Sequence, residues 1–288
     1  AIMVNILNRS LAQRLFDELR LHNIDYGGTT MLTTGAKGGG KTHFLVKLAS
    51  QVAYLHPTTN QPTQETIIWR GRSPDYWNHM LHDDFESENT CTRTIRLHIH
   101  TSDNASIISD IGTPIPLPEG SIYPYQDISE LYHNLLPGGF NIVYEPRVYQ
   151  ISQKMQSILL ARACTRAATL DGITWDPAIW WIEVMIFLSA FKKAGFLSLF
   201  IDEAEEVLPA NPPGLRWHLN SLFADSMKDF RKNNISMYAS CHHIGDIDYR
   251  LRSKFQYFGY TKGGRTAPSS LIHSKALITA HVGTVYLE

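Results

Sequence analysis

The chain has 288 residues, 43% apolar and 18% charged, enough for a packed core and no compositional case for disorder. Lys+Arg 26 against Asp+Glu 27 leaves a net charge of -1, which excludes a histone-like polycation, so contact with nucleic acid needs a local basic patch. Three cysteines (Cys91, Cys164, Cys241) lie far apart; they exclude a disulfide framework and a zinc ribbon and point to a reducing, intracellular setting.

In chain order, residues 1–10 carry no basic segment followed by an apolar core, so no signal peptide is expected. Ser10–Leu21 has apolar residues at helical spacing and predicts an amphipathic helix. Thr29–Thr34 predicts a strand that runs into the glycine-rich Gly35–Thr42. A helix follows over Thr42–Leu55, with Leu45, Leu48, Ala49, Val52 and Leu55 on one face and Pro57 ending it. Glu65–Arg70 predicts a second strand. Arg72–Gly139 holds the acids Asp83, Asp84, Glu86 and Glu88, a strand at Ile95–His100 and a proline-rich stretch. It reads as an insertion in one domain spanning residues 1–288. Asn141–Glu145 predicts a strand and Ser152–Leu170 a helix. The apolar run Ala178–Phe191 predicts a buried helix, with Asp176 and Pro177 at its start and Gly195 past its end. At 14 residues, and with Glu183 inside it, the run is short of the roughly 20 residues a membrane span needs. Leu197–Ile201, Ile235–Ser240, Tyr257–Thr261 and Val282–Leu287 predict further strands, and Arg216–Lys232 a helix. Strands alternating with helices predict an α/β fold with a mostly parallel central sheet.

The strongest chemical signal is Gly35-Ala36-Lys37-Gly38-Gly39-Gly40-Lys41-Thr42, which fits G-x-x-x-x-G-K-[ST] at every fixed position. The glycines let backbone N–H groups close on a phosphate without Cβ clashes. The following helix adds its positive end. Lys41 is expected to reach the β- and γ-phosphates and the Thr42 hydroxyl to ligate Mg²⁺. Residues 35–42, with His43 next to them, form the expected ATP-binding set.

The second signal is the apolar strand Leu197–Ile201 ending in Asp202-Glu203. It puts a carboxylate at the sheet edge where nucleotides bind. Asp202 is the expected second partner of Mg²⁺, and Glu203 the general base that polarises water. Glu205 and Glu206 read as surface acids. The third signal follows Ile235–Ser240. His242 is the leading candidate to sense the γ-phosphate, with Ser240 and His243 as rivals, and Arg250 and Arg252 could stabilise transition-state charge. His98 and His100 are too few for a zinc site. Between Lys228 and Lys275 nine basic residues stand against three acids, a net of +6, a possible polyanion footprint or a solvated face.

A phosphate loop, a distant apolar strand ending D-E, then a strand with a polar end and a downstream Arg resembles the FtsK–HerA superfamily of P-loop ATPases. Within it the length is similar to viral genome-packaging ATPases and zonula-occludens-toxin-like phage assembly proteins. The resemblance implies a RecA-like core with Gly35–Thr42 as Walker A, Asp202 and Glu203 as the Walker B pair, and Arg250 as an arginine finger. It also implies a homo-oligomeric ring and Mg²⁺-dependent ATP hydrolysis that moves double-stranded DNA, with genome packaging as the leading activity. A capsid or membrane-portal protein is the implied docking partner, and the host cytoplasm or the virion the implied location. The superfamily usually has Gln at the end of the strand after Walker B; here the sequence reads Ser240-Cys241-His242-His243. Two other readings are a virion assembly or export ATPase and a P-loop small-molecule kinase. Glu203 directly after Asp202 favours water over a second substrate as nucleophile, and no guanine-specifying N-K-x-D occurs.

Overall fold

Both faces of the central sheet are covered, which is why its strands read as apolar runs with no wet side. In the computed structural model the described residues are 2–5, 27–54, 65–72, 77, 97–102, 107, 112–115, 117, 119–147, 149, 152–161, 177–190, 195–266, 270, 272, 277–280 and 284–287. The helix expected at Ser10–Leu21, the acidic run at residues 83–88, Asp176, Cys91 and Cys164 lie outside them.

The strands are β1 (Ile2–Asn5), β2 (Thr30–Thr34), β3 (Thr66–Arg70), β4 (Leu97–Thr101), β5 (Ile122–Pro124), β6 (Phe140–Val143), β7 (Leu197–Ile201), β8 (Ile235–Cys241), β9 (Tyr257–Tyr260) and β10 (Thr284–Leu287). The helices are α1 (Lys41–Tyr54), α2 (Ile128–Asn134), α3 (Gln153–Ala161), α4 (Pro177–Ala190), α5 (Leu215–Ser226) and the short α6 (Tyr249–Arg252). The strands form one 10-stranded sheet in the order β1-β10-β9-β2-β8-β7-β3-β6-β4-β5. Every neighbouring pair from β9 to β5 is parallel, and β10 and β1 continue the β9 edge antiparallel. The mostly parallel α/β sheet expected from the sequence is therefore present. Described segments between residues 72 and 139 supply β4, β5 and α2, and β4 and β5 extend the same sheet.

Period-2 alternation divides the core. Leu197, Leu199 and Ile201 of β7, with Ile235, Met237, Ala239 and Cys241 of β8, face a layer built from α4 and α5. Phe200 and Tyr238 point to the opposite layer, where Phe44, Leu45, Leu48 and Ala49 of α1 meet Ile67 and Trp69. Helix α4 is buried over most of its described length, and Trp180 and Trp181 are among its fully covered side chains. Its one acid, Glu183, is matched by the Tyr149 hydroxyl and the Ser152 hydroxyl and backbone N–H, so the carboxylate is not orphaned in the core. Pro177 opens this helix as expected. Among the described residues no helix is long and apolar enough to cross a membrane.

Parallel pairing has one consequence for function. Register pairs Thr34 with Cys241, Ile201 with Ala239, Trp69 with Phe200 and Arg70 with Val143. The carboxyl ends of β2, β8, β7, β3 and β6 thus meet on one edge of the sheet. In parallel α/β sheets ligands bind at that edge.

Candidate nucleotide-binding site

Thr34 ends β2, and Gly35–Gly40 turn back over it into α1. Gly38 and Gly40 have φ of +73° and +95°, which only glycine adopts without cost. At Gly35 and Gly39 space rather than dihedral angle decides. A Cβ on Gly35 would stand 1.8 Å from Thr261 Oγ1, and one on Gly39 would stand 2.6 Å from the Lys262 carbonyl oxygen. The loop after β9 therefore braces the glycine loop, and the Ala36 N–H donates to the Lys262 carbonyl at 3.0 Å. Lys37 is exposed on the loop and His43 is exposed in the first turn of α1.

Lys41 is 6% exposed. Its ammonium donates to the Gly35 and Ala36 carbonyls at 2.8 and 3.1 Å and lies 3.2 Å from His242 Nδ1. Burial lowers its pKa from the ordinary lysine value, while the nearby Asp202 and Glu205 charges oppose the shift. An ammonium only donates, so His242 accepts at Nδ1 and carries its proton on Nε2, on the side of Glu205 Oε1 at 3.9 Å. His242 thus sits beside Lys41. Its rival Ser240 is elsewhere: its hydroxyl donates to Asp202 Oδ1. His243 starts the turn Ile244–Asp246 and has no contact with the loop among those described.

The Thr42 hydroxyl donates to Asp202 Oδ2 at 2.6 Å, which brings the two expected Mg²⁺ partners together across 160 residues of sequence. These are hard oxygen donors, the kind that Mg²⁺ takes, so the pair fits the ion. Glu203 lies one residue on, with φ of +51°, and its N–H donates to Asp202 Oδ1 at 3.2 Å. A left-handed glutamate is uncommon, and here it turns the chain sharply off β7 so that Asp202 and Glu203 diverge.

One reading of the acids needs correction: Glu205 is not a surface acid but has a side chain only 18% exposed, whereas Glu206 lies at the surface, as expected, and is paired there. Glu205 accepts from the His242 N–H at 3.1 Å and ties β8 to the turn after β7. Glu206 forms ion pairs with Arg70 at 3.2 Å and with Arg72 at 2.5 Å. Arg72 also pairs with Glu203. Arg70 is bidentate to Glu145 at the end of β6, at 3.1 and 3.3 Å, and the Trp181 indole N–H donates to the same carboxylate. Arg70, Arg72 and Glu145 carry no motif in the sequence; only the end of an expected strand marked their place.

Arg250 is engaged within its own chain. Its guanidinium donates to both oxygens of Asp248 at 2.9 and 2.5 Å and stacks 4.3 Å over the Trp217 ring. No contact of Arg250 or Arg252 with the glycine loop is among those described. Of the basic segment 228–275, Lys228 and Lys232 pair with Asp225 and Asp229, so part of its charge is locally neutralised. Burial pushes the Cys241 thiol up to about 12, as does Glu205, against the Thr34 hydrogen bond, which leaves it a structural residue. Among the described residues no group of three or more His, Cys, Asp or Glu could hold a metal by themselves.

A glycine loop on a strand–helix junction, a loop lysine, and a Thr–Asp pair across the sheet edge together define a P-loop nucleotide-binding site on an α/β fold. No sequence family and no curated protein matches the chain. Among solved structures it is similar to the genome-packaging NTPase B204 of Sulfolobus turreted icosahedral virus 2 in complex with AMPPCP, at 10% identity over 92% of this chain and 98% of that one, TM-score 0.44. The same protein in complex with AMP matches at 10% identity over 90% of each chain, TM-score 0.43. The N-terminal domain of zonular occludens toxin from Neisseria meningitidis matches at 13% identity over 81% of this chain and 76% of that one, TM-score 0.30. These are distant likenesses of fold.

Proposed function

We propose that the chain is an ATPase that hydrolyses ATP at the edge formed by β2, β8, β7 and β3. The observation that carries this reading is the convergence of Lys41, Thr42 and Asp202 from two distant segments at one glycine loop, with Glu203 the next residue after Asp202. Backbone N–H groups of residues 35–42 and the start of α1 face the phosphates. Lys41 neutralises charge on the β- and γ-phosphates, and its present carbonyl partners, Gly35 and Ala36, give it up as phosphate oxygens arrive. Thr42 and Asp202 are the residues that would hold Mg²⁺, which when bound neutralises phosphate charge. Ser240 fixes Asp202 by occupying its second oxygen. Glu203 orients water and accepts its proton. His242 accepts from Lys41, so its role is to position that ammonium.

The finer reading is that hydrolysis drives double-stranded DNA through a ring of identical chains, with viral genome packaging as the activity. It rests on the motif order of the sequence and on the basic segment 228–275. Arg250 and Arg252 are the proposed fingers. For Arg250 this requires release from Asp248, which a neighbouring chain could bring about. Phosphate release measured with and without double-stranded DNA tests the proposal. DNA stimulation supports the motor, dependence on a small acceptor indicates a kinase, and no release with either overturns the ATPase reading. Mixing an Arg250→Ala, Arg252→Ala protein with a Lys41→Ala protein tests the ring: activity returns only if the arginines act on a neighbour's site.

A further inference from the structure

The Lys41 ammonium has three N–H donors, and all three are placed: on the Gly35 and Ala36 carbonyls at 2.8 and 3.1 Å and on His242 Nδ1 at 3.2 Å. Two of these partners exchange for phosphate oxygens in the proposed ATP site. The third is a neutral ring nitrogen that can stay on the ammonium in both states. His242 is held for that. Its carbonyl accepts from the Thr34 hydroxyl at 2.9 Å, and its N–H donates to Glu205 Oε1 at 3.1 Å. One clamp comes from the end of β2, next to the glycine loop, and the other from the turn Ala204–Glu206 after β7. Glu203, left-handed with φ of +51°, starts that turn and brings Glu205 to the end of β8. The Glu205 side chain is 18% exposed, and its Oε1 also lies 3.9 Å from His242 Nε2. Its Oε2 is buried without a hydrogen-bond partner among the described residues. A carboxylate turned inward with so few donors is costly, and what it faces there is His242 and the charge of Lys41.

We propose that Glu205 is a positioning residue of the nucleotide site: it fixes His242 in place and in the tautomer that leaves Nδ1 bare, so that Lys41 keeps one partner while its other two donors pass to phosphate. The proposal rests on Lys41 binding the phosphates. A neutral imidazole carries one proton, and the nitrogen that keeps it cannot accept. A carboxylate on the Nε2 side draws the proton there. The ammonium on the Nδ1 side asks for the same tautomer, so the two charged neighbours of the ring agree. When the Gly35 and Ala36 carbonyls let go, the flexible lysine stem has no other partner to hold its head in place. A ring clamped at both of its peptide groups supplies one, and it reduces what nucleotide binding must order. Glu205 acts through this ring and has no contact of its own with the glycine loop among those described.

The test is the affinity for AMPPCP with Mg²⁺, measured by calorimetry for Glu205→Gln, His242→Gln and the double variant, with thermal melts to check folding. Glu205→Gln should weaken binding about ten- to thirtyfold, the lower range of a hydrogen bond that involves a charged group. On the His242→Gln background the same change should cost less than about twofold, because a Gln side chain offers its oxygen to the ammonium with no tautomer to be set. A direct effect of the Glu205 charge on Lys41, or a general loss of folding, would cost the same on both backgrounds and overturns the proposal, as does wild-type affinity in Glu205→Gln. Nitrogen-15 spectra of labelled histidine give a second reading, which decides the matter if His242→Gln binds no nucleotide. The His242 signals, identified by their loss in His242→Gln, should show the proton on Nε2 and none on Nδ1 in wild type, with and without AMPPCP. In Glu205→Gln they should move toward the other tautomer. A proton on Nδ1 in wild type, or unchanged signals in Glu205→Gln, overturns the proposal. If Lys41→Ala binds AMPPCP as wild type does, the phosphate-loop reading fails and takes this one with it. If Lys41→Ala loses binding while Glu205→Gln keeps it, this inference alone fails.

Discussion

One methyl group at Gly39 separates crowding from backbone conformation in the glycine loop. A Cβ there would lie 2.6 Å from the Lys262 carbonyl oxygen and 2.9 Å from that of Ala36, about 1 Å inside a comfortable contact for the nearer one. Neither oxygen is a side-chain end that can rotate away. Lys262 O accepts from the Ala36 N–H at 3.0 Å, and Ala36 O accepts from the Gly39 N–H itself at 2.9 Å. Gly39→Ala must therefore push the loop off the segment after β9 by a large part of that distance. A misplacement of about 1 Å in a positioned site costs on the order of 100-fold. Gly38 is the control: it has φ of +73° and nothing within 4 Å of an added Cβ. Gly38→Ala carries only the left-handed strain of about 1–2 kcal/mol, which falls on stability in the free and bound states alike. Calorimetric titration with a non-hydrolysable ATP analogue, with thermal melts alongside, distinguishes them. Gly39→Ala should lose affinity by about two orders of magnitude, and Gly38→Ala should lower Tm while keeping affinity near wild type. Wild-type affinity in Gly39→Ala, or a greater loss in Gly38→Ala, refutes the reasoning.

Lys41→Ala should abolish ATP binding or turnover, since the phosphates lose their countercharge; wild-type turnover would remove the Walker A assignment. Burial lowers the Lys41 pKa and binding uses the ammonium, so ATP affinity should fall as pH rises, at a lower pH than an ordinary lysine sets; affinity flat up to about pH 10.4 contradicts this. Burial pushes the Asp248 carboxyl up, but hydrogen bonds from the Arg250 side chain and N–H and from Asn220 outweigh it and leave the pKa below the ordinary value. A carboxylate with a depressed folded-state pKa stabilises the fold above its unfolded pKa and loses that stabilisation as pH falls through the folded one. Wild type should therefore lose Tm below about pH 4 more steeply than Asp248→Asn, and parallel curves would contradict the pairing. Chelating Mg²⁺ should abolish turnover in wild type, and turnover that survives chelation contradicts the Thr42–Asp202 assignment.

The parts of the site that the sequence announced are those whose chemistry is local. Gly35–Thr42 needs glycines at fixed offsets, and Leu197–Ile201 needs an apolar run because both its faces are covered. The interior strands were legible for the same reason. β5 was not: three residues ending in Pro124 give no alternation to read. β1 lies at the sheet edge and is four residues long, equally short of signal. α2 left a trace that went unread, Asp127 followed three residues later by Glu130. Asp127 Oδ1 accepts from the Glu130 N–H at 2.8 Å, as in a capping box. Gly195 has φ of +88°, but the residues joining it to α4 lie outside those described. Arg70, Arg72, Glu145 and Glu206 were invisible for another reason. Each is an ordinary charged residue at the end of a strand or in the segment that follows one, and they meet only because parallel strands far apart in sequence end on one edge. For the same reason Glu205 read as a surface acid, and Arg250 gave no hint that Asp248 and Trp217 hold it.

The central claim is that Glu203 performs chemistry at a site where Lys41, Thr42 and Asp202 perform binding. Single-turnover hydrolysis of ATP by Glu203→Gln, with ATP affinity measured on the same protein, tests it most directly. Gln keeps the shape of the side chain and cannot take a proton, so affinity should stay within a few-fold of wild type while hydrolysis falls by about 10²-fold or more. Hydrolysis at the wild-type rate, or affinity that collapses together with turnover, contradicts the account.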